Sequence, residues 1–438
     1  MPQQSPKPTL VVYGATSYTA RQLLTYLESH PESSAFAFIL SGRNAGRLNS
    51  VNARLKTSKE IVVCDLGDEE AVKALVNRGD VVMNLAGPYR WHNGEALVKA
   101  CAESGKHYVD LCGEADWLAR TVIPKYHGLA ASTGAKIIPA SGFDSVPSDL
   151  SVYVSLKTLQ TAHPGLTLAD STSFFQVKAT MSGGTVQSMV SVAELPPDQR
   201  RSGEYALCPG VKSPKPAAPS LTYFLPSPPL SSPRWASFFF MFPFNRTIVR
   251  RSQYLSALTP ARTSSTESDE PIHGEGMGYA EGLDIGAGRL GSGLASFGFF
   301  LFFGLFYTSK TLRNLFLRFL PKAGEGSSLE ELEKGHYTVT NVSTSKPLPF
   351  GETVQVVTKF EGDGDPGYLN TCYMLVESAL SLVLPPPQGT SLPPLAKQGG
   401  VLTPSTGLGG VLVERLKLCG MVRISSEIVY SEKDKKTI

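Results

Sequence analysis

The segment "TLVVYGATSYTA", Thr9 to Ala20, decides how the first third of this 438-residue chain is interpreted. Its apolar start predicts a buried β-strand, and Gly14 permits a sharp turn into a helix that begins near Ser17. Such a turn points backbone N–H groups and the positive end of a helix dipole at one spot, which favours a pyrophosphate. A glycine fingerprint would have three glycines where this chain has Gly14, Ser17 and Ala20. Alone, the segment is a weak fingerprint, and an ordinary structural turn is the alternative.

The pattern repeats up to about residue 148. Helical segments such as Ala20–Ser29 and Glu95–Ser104 separate short apolar runs, which are "AFAFILSGR", "EIVVCDL", "DVVMNLAGP", "HYVDLCGE" and "AKIIPASG". Strands that alternate with helices predict a parallel sheet with crossover helices. Residues 1–150 are therefore predicted to form an α/β, doubly wound Rossmann domain that binds NAD(P).

The chain changes character after residue 150. Residues 151–400 are predicted to form a second, α+β domain for substrate binding or dimerisation. Its sheet should be largely antiparallel, because "HYTVTNVSTS" and "TVQVVTKFEG" alternate polar and apolar residues. Residues 196–234 are rich in proline and serine and predict a surface excursion. Residues 401–438 predict a C-terminal helix and strand that pack back on the Rossmann domain.

Composition excludes several classes of protein. The net charge of +3, with no basic stripe, argues against a nucleic-acid partner. The six cysteines are scattered without a C-x-x-C pair, which predicts reduced thiols, no metal site and a cytosol-facing protein. The N-terminal "MPQQSPKPTL" has no apolar core of a signal peptide, so secretion is not expected.

An apolar segment at residues 294–320 suggests contact with a membrane. Its first part, "LASFGFFLFFGLFY", carries no charge but is shorter than the about 20 residues that span a bilayer. The second part is amphipathic with basic edges, a pattern that fits insertion into one leaflet of a membrane or lipid droplet. The alternative is a helix of the core or of a homodimer interface. The terminal "KKTI" resembles an endoplasmic-reticulum retrieval signal.

Residues at the ends of the predicted strands indicate the cofactor. Arg43 follows the second strand, where a guanidinium suits the 2′-phosphate of NADP(H) better than the ribose of NAD(H). The alternative is a surface arginine that opens the next helix. Asp65 after the third strand either accepts from the adenine amino group or caps a helix. The small residues Ala86, Gly87 and Pro88 after the fourth strand leave room for the nicotinamide half.

The reaction centre is less clearly marked. Asp144 and Ser145 follow the sixth strand and are candidates to orient a substrate carbonyl. The alternative is that Asp144 and Ser148 cap the next helix. Backbone amides of "SGGT" can hold a substrate oxyanion, with a glycine turn and threonine cap as the alternative. The candidate proton donors are Tyr89, Glu114, Tyr368 and His92. The substrate residues proposed here are Gly183, Gly184, Thr185 and Tyr368.

Taken together, the motifs resemble the saccharopine dehydrogenase-like oxidoreductases, a family that includes trans-acting enoyl reductases. The similar pieces run from about residue 10 to 415 and include "GATSYTA", "SGR", "NLAGPY", "YVDLCGE", "GFDSVPSDL", "GDPGY" and "GGVLTPSTGLG". The resemblance implies a Rossmann domain, a second α+β domain and NAD(P)-dependent reduction, and some animal members associate with lipid droplets. It also implies that the dinucleotide contacts are Gly14, Thr16, Ser17, Tyr18, Thr19, Arg43 and Gly87. Ser17 and Ala20 depart from the family form, which has glycine at both positions.

The sequence therefore predicts an NADP(H)-dependent oxidoreductase that reduces an activated C=C bond of a lipid or polyketide-like acyl substrate. One alternative is a nucleotide-binding protein of a membrane or lipid-droplet surface that has no turnover. Another is a saccharopine-type imine or amino-acid dehydrogenase, whose tricarboxylate substrate would require several arginines and lysines in the substrate domain.

Overall fold

The computed structural model describes residues 7–197, 199–200, 203–212, 220–227, 229–258, 271, 276–322, 324–349 and 351–429. Two seven-stranded sheets, here named sheet A and sheet B, organise these residues. Part of the predicted proline-rich excursion, at 213–219, and the terminal tetrapeptide at 435–438 lie outside the described residues.

Sheet A is the parallel sheet predicted for the N-terminal domain. Its first six strands are β1 (Thr9–Tyr13), β2 (Ala37–Gly42), β3 (Glu60–Val63), β4 (Val81–Asn84), β5 (His107–Asp110) and β6 (Lys136–Ile138), in the spatial order β6-β5-β4-β1-β2-β3. The crossover helices are α1 (Tyr18–Ser29), α2 (Ala45–Asn52), α3 (Glu69–Asn77), α4 (Gly94–Ser104), α5 (Ala115–Trp117) and α6 (Ile123–Thr133), with a π-helical turn at Leu118–Val122. The strand order reverses between β1 and β4, which is where doubly wound sheets bind ligands.

The central strand is continuously apolar because helices cover both faces of the sheet. Leu10, Val11 and Val12 are all fully buried, so side chains on both faces of β1 lie in the core. On one face, Leu23 and Leu27 of α1 are also fully buried. Burial on both sides fixes the position of β1, and with it the turn that follows.

Sheet B forms the second domain, after helix α7 (Ser145–Ala162). Its strands include β7 (Leu168–Lys178), β8 (Tyr223–Leu225), β9 (Arg234–Phe238), β10 (Gly278–Leu283), β11 (His336–Ser345) and β12 (Gln355–Asp363). The spatial order is β12-β11-β7-β10-β9-β8, and only β7 and β10 pair in parallel. The predicted α+β domain with a largely antiparallel sheet is therefore confirmed.

The remaining helices connect or cover the strands of both sheets. They are α8 (Gly183–Ala193), α9 (Phe242–Leu258), α10 (Gly288–Thr308), α11 (Lys310–Phe316), α12 (Leu329–Glu333), α13 (Thr371–Val383), α14 (Pro394–Gln398), α15 (Pro404–Gly407) and α16 (Gly409–Leu418). A π-helical turn at Pro366–Asn370 leads directly into α13, which packs on β4 and β5 of sheet A.

The C-terminal part of the chain divides between the two sheets. Strand β13 (Gly400–Val401) pairs in parallel with β6 at the edge of sheet A, and β14 (Val422–Val429) pairs antiparallel with β12 at the edge of sheet B. The start of the segment predicted to pack back on the Rossmann domain thus adjoins sheet A. Its final strand belongs to the second domain.

One buried carboxylate ties the two domains together. Glu377, on α13, accepts hydrogen bonds from the Tyr26 hydroxyl at 2.6 Å and from Nε of Arg415 at 2.9 Å. Nε2 of His30 lies 2.8 Å from the same carboxylate. Since Tyr26 and His30 belong to or end α1, Glu377 links the first Rossmann helix to α13 and α16.

Helix α10 is longer than the charge-free segment suggested. It has 21 residues, Arg289 is its only charged residue, and little of the helix is buried. Among the described residues it is the one helix that by length and composition is able to cross a membrane. One side is docked on β9, since the Ser296 hydroxyl accepts from the Phe238 amide at 2.7 Å.

Candidate active site

The turn after β1 has the backbone shape that close approach of a phosphate requires. Gly14 has a φ of +77°, and a Cβ added there would lie 2.9 Å from the amide nitrogen of Ala86. The amides of Gly14 and Ala15 donate to the Ser41 carbonyl at 3.0 and 3.1 Å, which fixes the turn on β2. A residue other than glycine is strained here and collides with the loop after β4.

The side chains that follow the turn are partly engaged within the protein. Ser17 is the N-cap of α1, and its hydroxyl accepts from the Ala20 amide at 3.2 Å. Tyr18 is buried and donates its hydroxyl proton to the Ser327 carbonyl at 2.6 Å. Thr16 and Thr19 are half-buried, and their hydroxyls have no hydrogen bond within the described part of the chain. A phosphate therefore has the amides of Tyr18 and Thr19 and these two hydroxyls available.

Arg43 is available for an anionic ligand. It follows β2 directly, is exposed, and forms no hydrogen bond or ion pair with the described residues. Its charge acts on His92, whose pKa is lowered mainly by burial and secondly by Arg43. The guanidinium thus lies beside the loop after β4, at the sheet edge where the prediction places the 2′-phosphate of NADP(H).

Asp65 does not cap a helix. The N-cap of α3 is Asp68, whose carboxylate accepts from the Ala71 amide at 3.0 Å. Asp65 is exposed, and its Oδ1 accepts from the Gly67 amide at 2.8 Å. The capping alternative for Asp65 is therefore wrong, and its role toward the adenine stays a prediction.

Tyr89 belongs to the framework of the loop after β4. It is buried, and its hydroxyl donates to the Asn84 carbonyl at 3.1 Å and accepts from the Leu111 amide at 3.0 Å. Burial raises the pKa of Tyr89 well above its ordinary value. Because internal bonds occupy the hydroxyl, the geometry gives no support to the predicted role as proton donor. Ala86 and Gly87, next to Gly14, are partly exposed, whereas Pro88 is buried.

Asp144 stands out at the carboxyl end of β6. It is a non-glycine residue with a φ of +80°, a conformation that costs about 1–3 kcal/mol and concentrates at functional sites. Its carboxyl group has no hydrogen-bond partner within the described residues and does not cap α7, so the capping alternative is wrong for this side chain. The residue is partly exposed, but its carboxyl group is enclosed, and burial raises its pKa to about 7. A carboxyl group with a pKa near neutral pH is suited to donate a proton.

The Ser145 hydroxyl belongs to a buried network of polar side chains that the sequence did not predict. This hydroxyl donates to Oδ1 of Asn245, on α9, at 3.2 Å. Nδ2 of Asn245 donates to Glu281, on β10, at 3.0 Å, and the Tyr279 hydroxyl donates to the same carboxyl group at 2.6 Å. The only available signal was a glutamate within the otherwise apolar run "GYAEGL". Strand β10 was not recognised, so nothing placed Glu281 near Asp144.

The predicted substrate residues from two distant segments meet. The Thr185 hydroxyl lies 2.6 Å from the Tyr368 hydroxyl, and the rings of Tyr368 and Tyr18 contact edge to face at 5.2 Å. Gly183 donates its amide to the Glu325 carbonyl at 3.0 Å and is not free to hold an oxyanion. Gly184 lies with Thr185 in the first turn of α8, so Thr185 does not cap this helix. The start of α8 thus lies next to the start of α1.

Contacts between the domains bring these parts to one edge of sheet A. The Phe143 amide donates to the Thr371 hydroxyl at 2.9 Å, beside Asp144, and the Cys372 thiol donates to the Thr19 carbonyl at 3.5 Å. The start of α13 therefore adjoins both the dinucleotide turn and the loop before α7. An NADP(H) molecule fits this donor set, because Gly14 opens the turn and Arg43 supplies a free cation.

Comparison with known proteins identifies the family. The saccharopine dehydrogenase NADP-binding domain matches residues 10–138. A candidate trans-acting enoyl reductase of Mycobacterium tuberculosis is 33% identical over 434 residues, which cover 94% of this chain and 96% of that protein. The chain belongs to the saccharopine dehydrogenase-like oxidoreductases. The prediction of an NADP(H)-dependent oxidoreductase is confirmed at this level.

Further relatives agree with this assignment. The trans-acting enoyl reductase of Mycobacterium leprae is 30% identical over 444 residues, covering 94% of this chain and 96% of that protein. The solved apo structure of the L-glutamate-forming saccharopine dehydrogenase of Saccharomyces cerevisiae has a TM-score of 0.52 and covers 97% of this chain and 100% of its own. At 13% identity, that structure shows a shared family fold and nothing about the substrate.

Proposed function

We propose that the protein reduces the C=C bond of an α,β-unsaturated acyl substrate at the edge of sheet A. NADPH, when bound, supplies a hydride for the β-carbon of such a substrate. The names of the relatives suggest the reaction class. The observation that carries the proposal is the Asp144 carboxyl group beside the cofactor domain, which has no hydrogen-bond partner among the described residues and whose pKa burial raises to about 7.

Each group has a separate task in this reaction. Gly14 and Arg43 hold the dinucleotide through its phosphates, because one opens the backbone and the other neutralises charge. As the β-carbon gains a hydride, the π electrons move to the α-carbon and the carbonyl oxygen. One hydroxyl proton joins Thr185 to Tyr368, so the other hydroxyl proton of this pair stabilises that oxygen. Neutral Asp144 gives its proton to the α-carbon and becomes a carboxylate, which completes the addition of hydride and proton.

Two of the three arginines of α9, Arg250 and Arg251, favour an uncharged acyl chain over a tricarboxylate. Arg250 pairs with Glu204 at 3.2 Å and also donates to the Met277 carbonyl. Arg251 is 2% exposed and donates to the Leu207 carbonyl at 2.6 Å. These cations are used inside the fold and are not available to bind substrate carboxylates.

A turnover assay tests the proposed function. Purified protein is mixed with NADPH and a series of trans-2-enoyl thioesters, and nicotinamide fluorescence is followed. We expect oxidation of NADPH with the unsaturated thioesters and none with the matched saturated thioesters. If the protein binds NADPH and reduces no enoyl thioester of any chain length, the alternative of a nucleotide-binding protein without turnover replaces this proposal.

We further propose that α10 lies on a lipid surface. Four of its apolar side chains are strongly exposed and recur at three- and four-residue spacing, which places them on one stripe: Leu290 at 79%, Leu294 at 65%, Phe297 at 61% and Leu301 at 52%. The opposite side contacts β9 through Ser292 and Ser296, so the helix is held flat against the domain. An exposed apolar stripe on a docked helix fits insertion into one leaflet of a membrane or lipid-droplet surface.

Liposome flotation tests the lipid proposal. Changing Leu290, Leu294, Phe297 and Leu301 to serine should abolish flotation, because the apolar stripe drives insertion. Leu418→Ser is the matched control, since Leu418 is 72% exposed but lies on α16. Unchanged flotation of the fourfold variant refutes the proposal. A loss of dimerisation instead, seen by light scattering, would assign the stripe to a homodimer interface.

A further inference from the structure

Glu281 lies at the centre of a buried polar group contributed by three segments of the chain. Its Oε1 is 2.6 Å from the Tyr279 hydroxyl and 2.5 Å from the Ser148 hydroxyl, and its Oε2 is 3.0 Å from Nδ2 of Asn245. Glu281, Ser148 and Asn245 are fully buried, and Tyr279 is 7% exposed. Within the described residues no cation pairs with Glu281, so an ionised carboxylate here would have no compensating charge.

The number of available protons indicates the state of this carboxyl group. The Ser148 hydroxyl lies 2.7 Å from the main-chain carbonyl of Asp144 as well as 2.5 Å from Glu281. A hydroxyl has one proton, and a carbonyl only accepts. If Ser148 donates to the Asp144 carbonyl, the proton between Ser148 and Glu281 has to come from Glu281. A neutral Glu281 is the state that satisfies both contacts.

The same network holds the segment that carries Asp144. Ser148 bonds to the Asp144 carbonyl, and Ser145, the next residue, bonds to Asn245. Both serines are connected to Glu281, directly or through Asn245. The backbone of Asp144 has a positive φ, and a conformation of this kind persists only when its surroundings enforce it. Glu281 is the group on which those surrounding bonds converge.

We propose that Glu281 is a protonated positioning residue whose carboxyl proton is donated to Ser148 and fixes the turn that presents Asp144 to the substrate. This role rests on the proposed reduction, but the protonation state does not. When Glu281 ionises, Ser148 turns its proton toward the carboxylate and releases the Asp144 carbonyl. The turn then loses the bond that maintains its strained backbone.

The charges around Glu281 agree with a neutral carboxyl group. Burial raises its pKa to about 7, and the carboxylate of Asp144 raises it as well, whereas the hydrogen bonds that Ser148, Tyr279 and Asn245 can donate to the ionised form lower it. On β8, Tyr223 is the other titratable group on which the charge of Glu281 acts. Ionisation is expected as the pH rises through about 7.

Infrared difference spectroscopy and a pair of variants test the proposal. At mildly acidic pH, the wild type minus Glu281→Gln difference spectrum should show a carboxylic-acid C=O band that disappears as the pH rises through about 7. Glu281→Ala should lower kcat by about 100-fold through misplacement of Asp144, with little change in the Kd for NADPH. Glu281→Gln should rescue most of this loss, because its amide can donate to Ser148 and Tyr279 while its carbonyl accepts from Asn245.

Distinct outcomes separate this inference from the proposed function. A wild type that reduces no enoyl thioester refutes the function, while the infrared band still reports the state of Glu281. Absence of the band overturns the neutral Glu281. If Glu281→Gln is folded, as circular dichroism would show, but as inactive as Glu281→Ala, then Glu281 is not a positioning residue and its proton is itself required.

Discussion

The two halves of the candidate site are built in opposite ways. The cofactor half consists of residues that follow three neighbouring strands of sheet A, and it uses mainly backbone atoms: the turn at Gly14, the start of α1 and the loop at Ala86. The acid half joins Asp144 to Asn245 and Glu281, which come from separate elements and act through buried side chains. A site built from backbone atoms tolerates Ser17 and Ala20 in place of the glycines of the family form. A site built from side chains depends on every residue that contributes one.

The difference has an energetic basis. In any sequence the first backbone amides of a helix have no partner within the helix. The cofactor half therefore needs a glycine, small neighbouring residues and little else. A buried carboxyl group costs free energy unless it is neutral or fully hydrogen-bonded. Ser148, Tyr279 and Asn245 therefore have to be present together around Glu281. We expect single substitutions to damage the acid half more than the cofactor half.

Asp144→Asn should have the largest effect. Asparagine has no proton to give at neutral pH, so kcat should fall by about 10²–10⁴-fold, the range typical of general acid catalysis. The Kd for NADPH, measured by fluorescence titration, should change little. In the wild type, kcat should also fall as the pH rises through about 7, because Asp144 is neutral below its pKa and ionised above it.

Asp68→Asn is the matched control for Asp144→Asn. Asp68 also occupies a helix N-cap, but it is exposed on α3, and asparagine caps equally well. Asp68→Asn should therefore leave kcat unchanged. If Asp144→Asn also retains the wild-type kcat, the acid half is not the proton source. The expectation that single substitutions damage the acid half more than the cofactor half would then be wrong.

Glu377→Ala should separate the two halves by weakening the bonds between domains. It removes the partner of Tyr26, His30 and Arg415 and leaves the buried Arg415 with only the half-exposed carboxylate of Glu32, at 2.6 Å, so the cost should approach the about 3–5 kcal/mol of a broken buried ion pair. The expected result is a lower free energy of unfolding in urea and weaker binding of NADPH, because α1 is released.

An exposed ion pair provides the comparison for Glu377→Ala. Asp363 pairs with Arg423 at 2.8 Å, and their side chains are 81% and 57% exposed. Asp363→Ala should cost less than about 1 kcal/mol, because water screens the pair. Equal losses for the two variants would show that Glu377 is not the main connection between α1 and the second domain.

Arg43→Glu should affect the cofactor half alone. Loss of charge-assisted hydrogen bonds to the 2′-phosphate should weaken NADPH binding by about 100-fold. Binding of NADH, which lacks that phosphate, should change by less than about threefold. Arg47→Glu, one turn along α2 and also exposed, should leave both affinities near their wild-type values. Equal weakening of NADPH and NADH by Arg43→Glu contradicts the assignment of this residue.

The sequence predicted the cofactor half more completely than the acid half. The alternation of apolar runs and helices predicted sheet A, and the strand ends followed because parallel strands share one carboxyl edge. Asp144 was recognised as a candidate because it follows such a strand. Glu281 was not, because β8, β9 and β10 are short strands and α9 separates β9 from β10 along the chain. Tyr89 is a residue type that can donate a proton, and its loop follows a strand of sheet A. Its burial comes from packing against Trp117, which the sequence alone does not show.

Ser17 gives the smallest expected effect and the finest test of the backbone account. Ser17→Ala removes the acceptor for the Ala20 amide and should cost about 1 kcal/mol of stability, whereas Ser17→Gly should cost a few tenths. If amides hold the phosphate, both variants should bind NADPH within about threefold of the wild type, since the amide geometry survives. Fluorescence titration of the two variants with NADPH measures this affinity. A loss of about tenfold or more in both variants would make the Ser17 hydroxyl a phosphate ligand, and the cofactor half would then depend on a side chain as the acid half does.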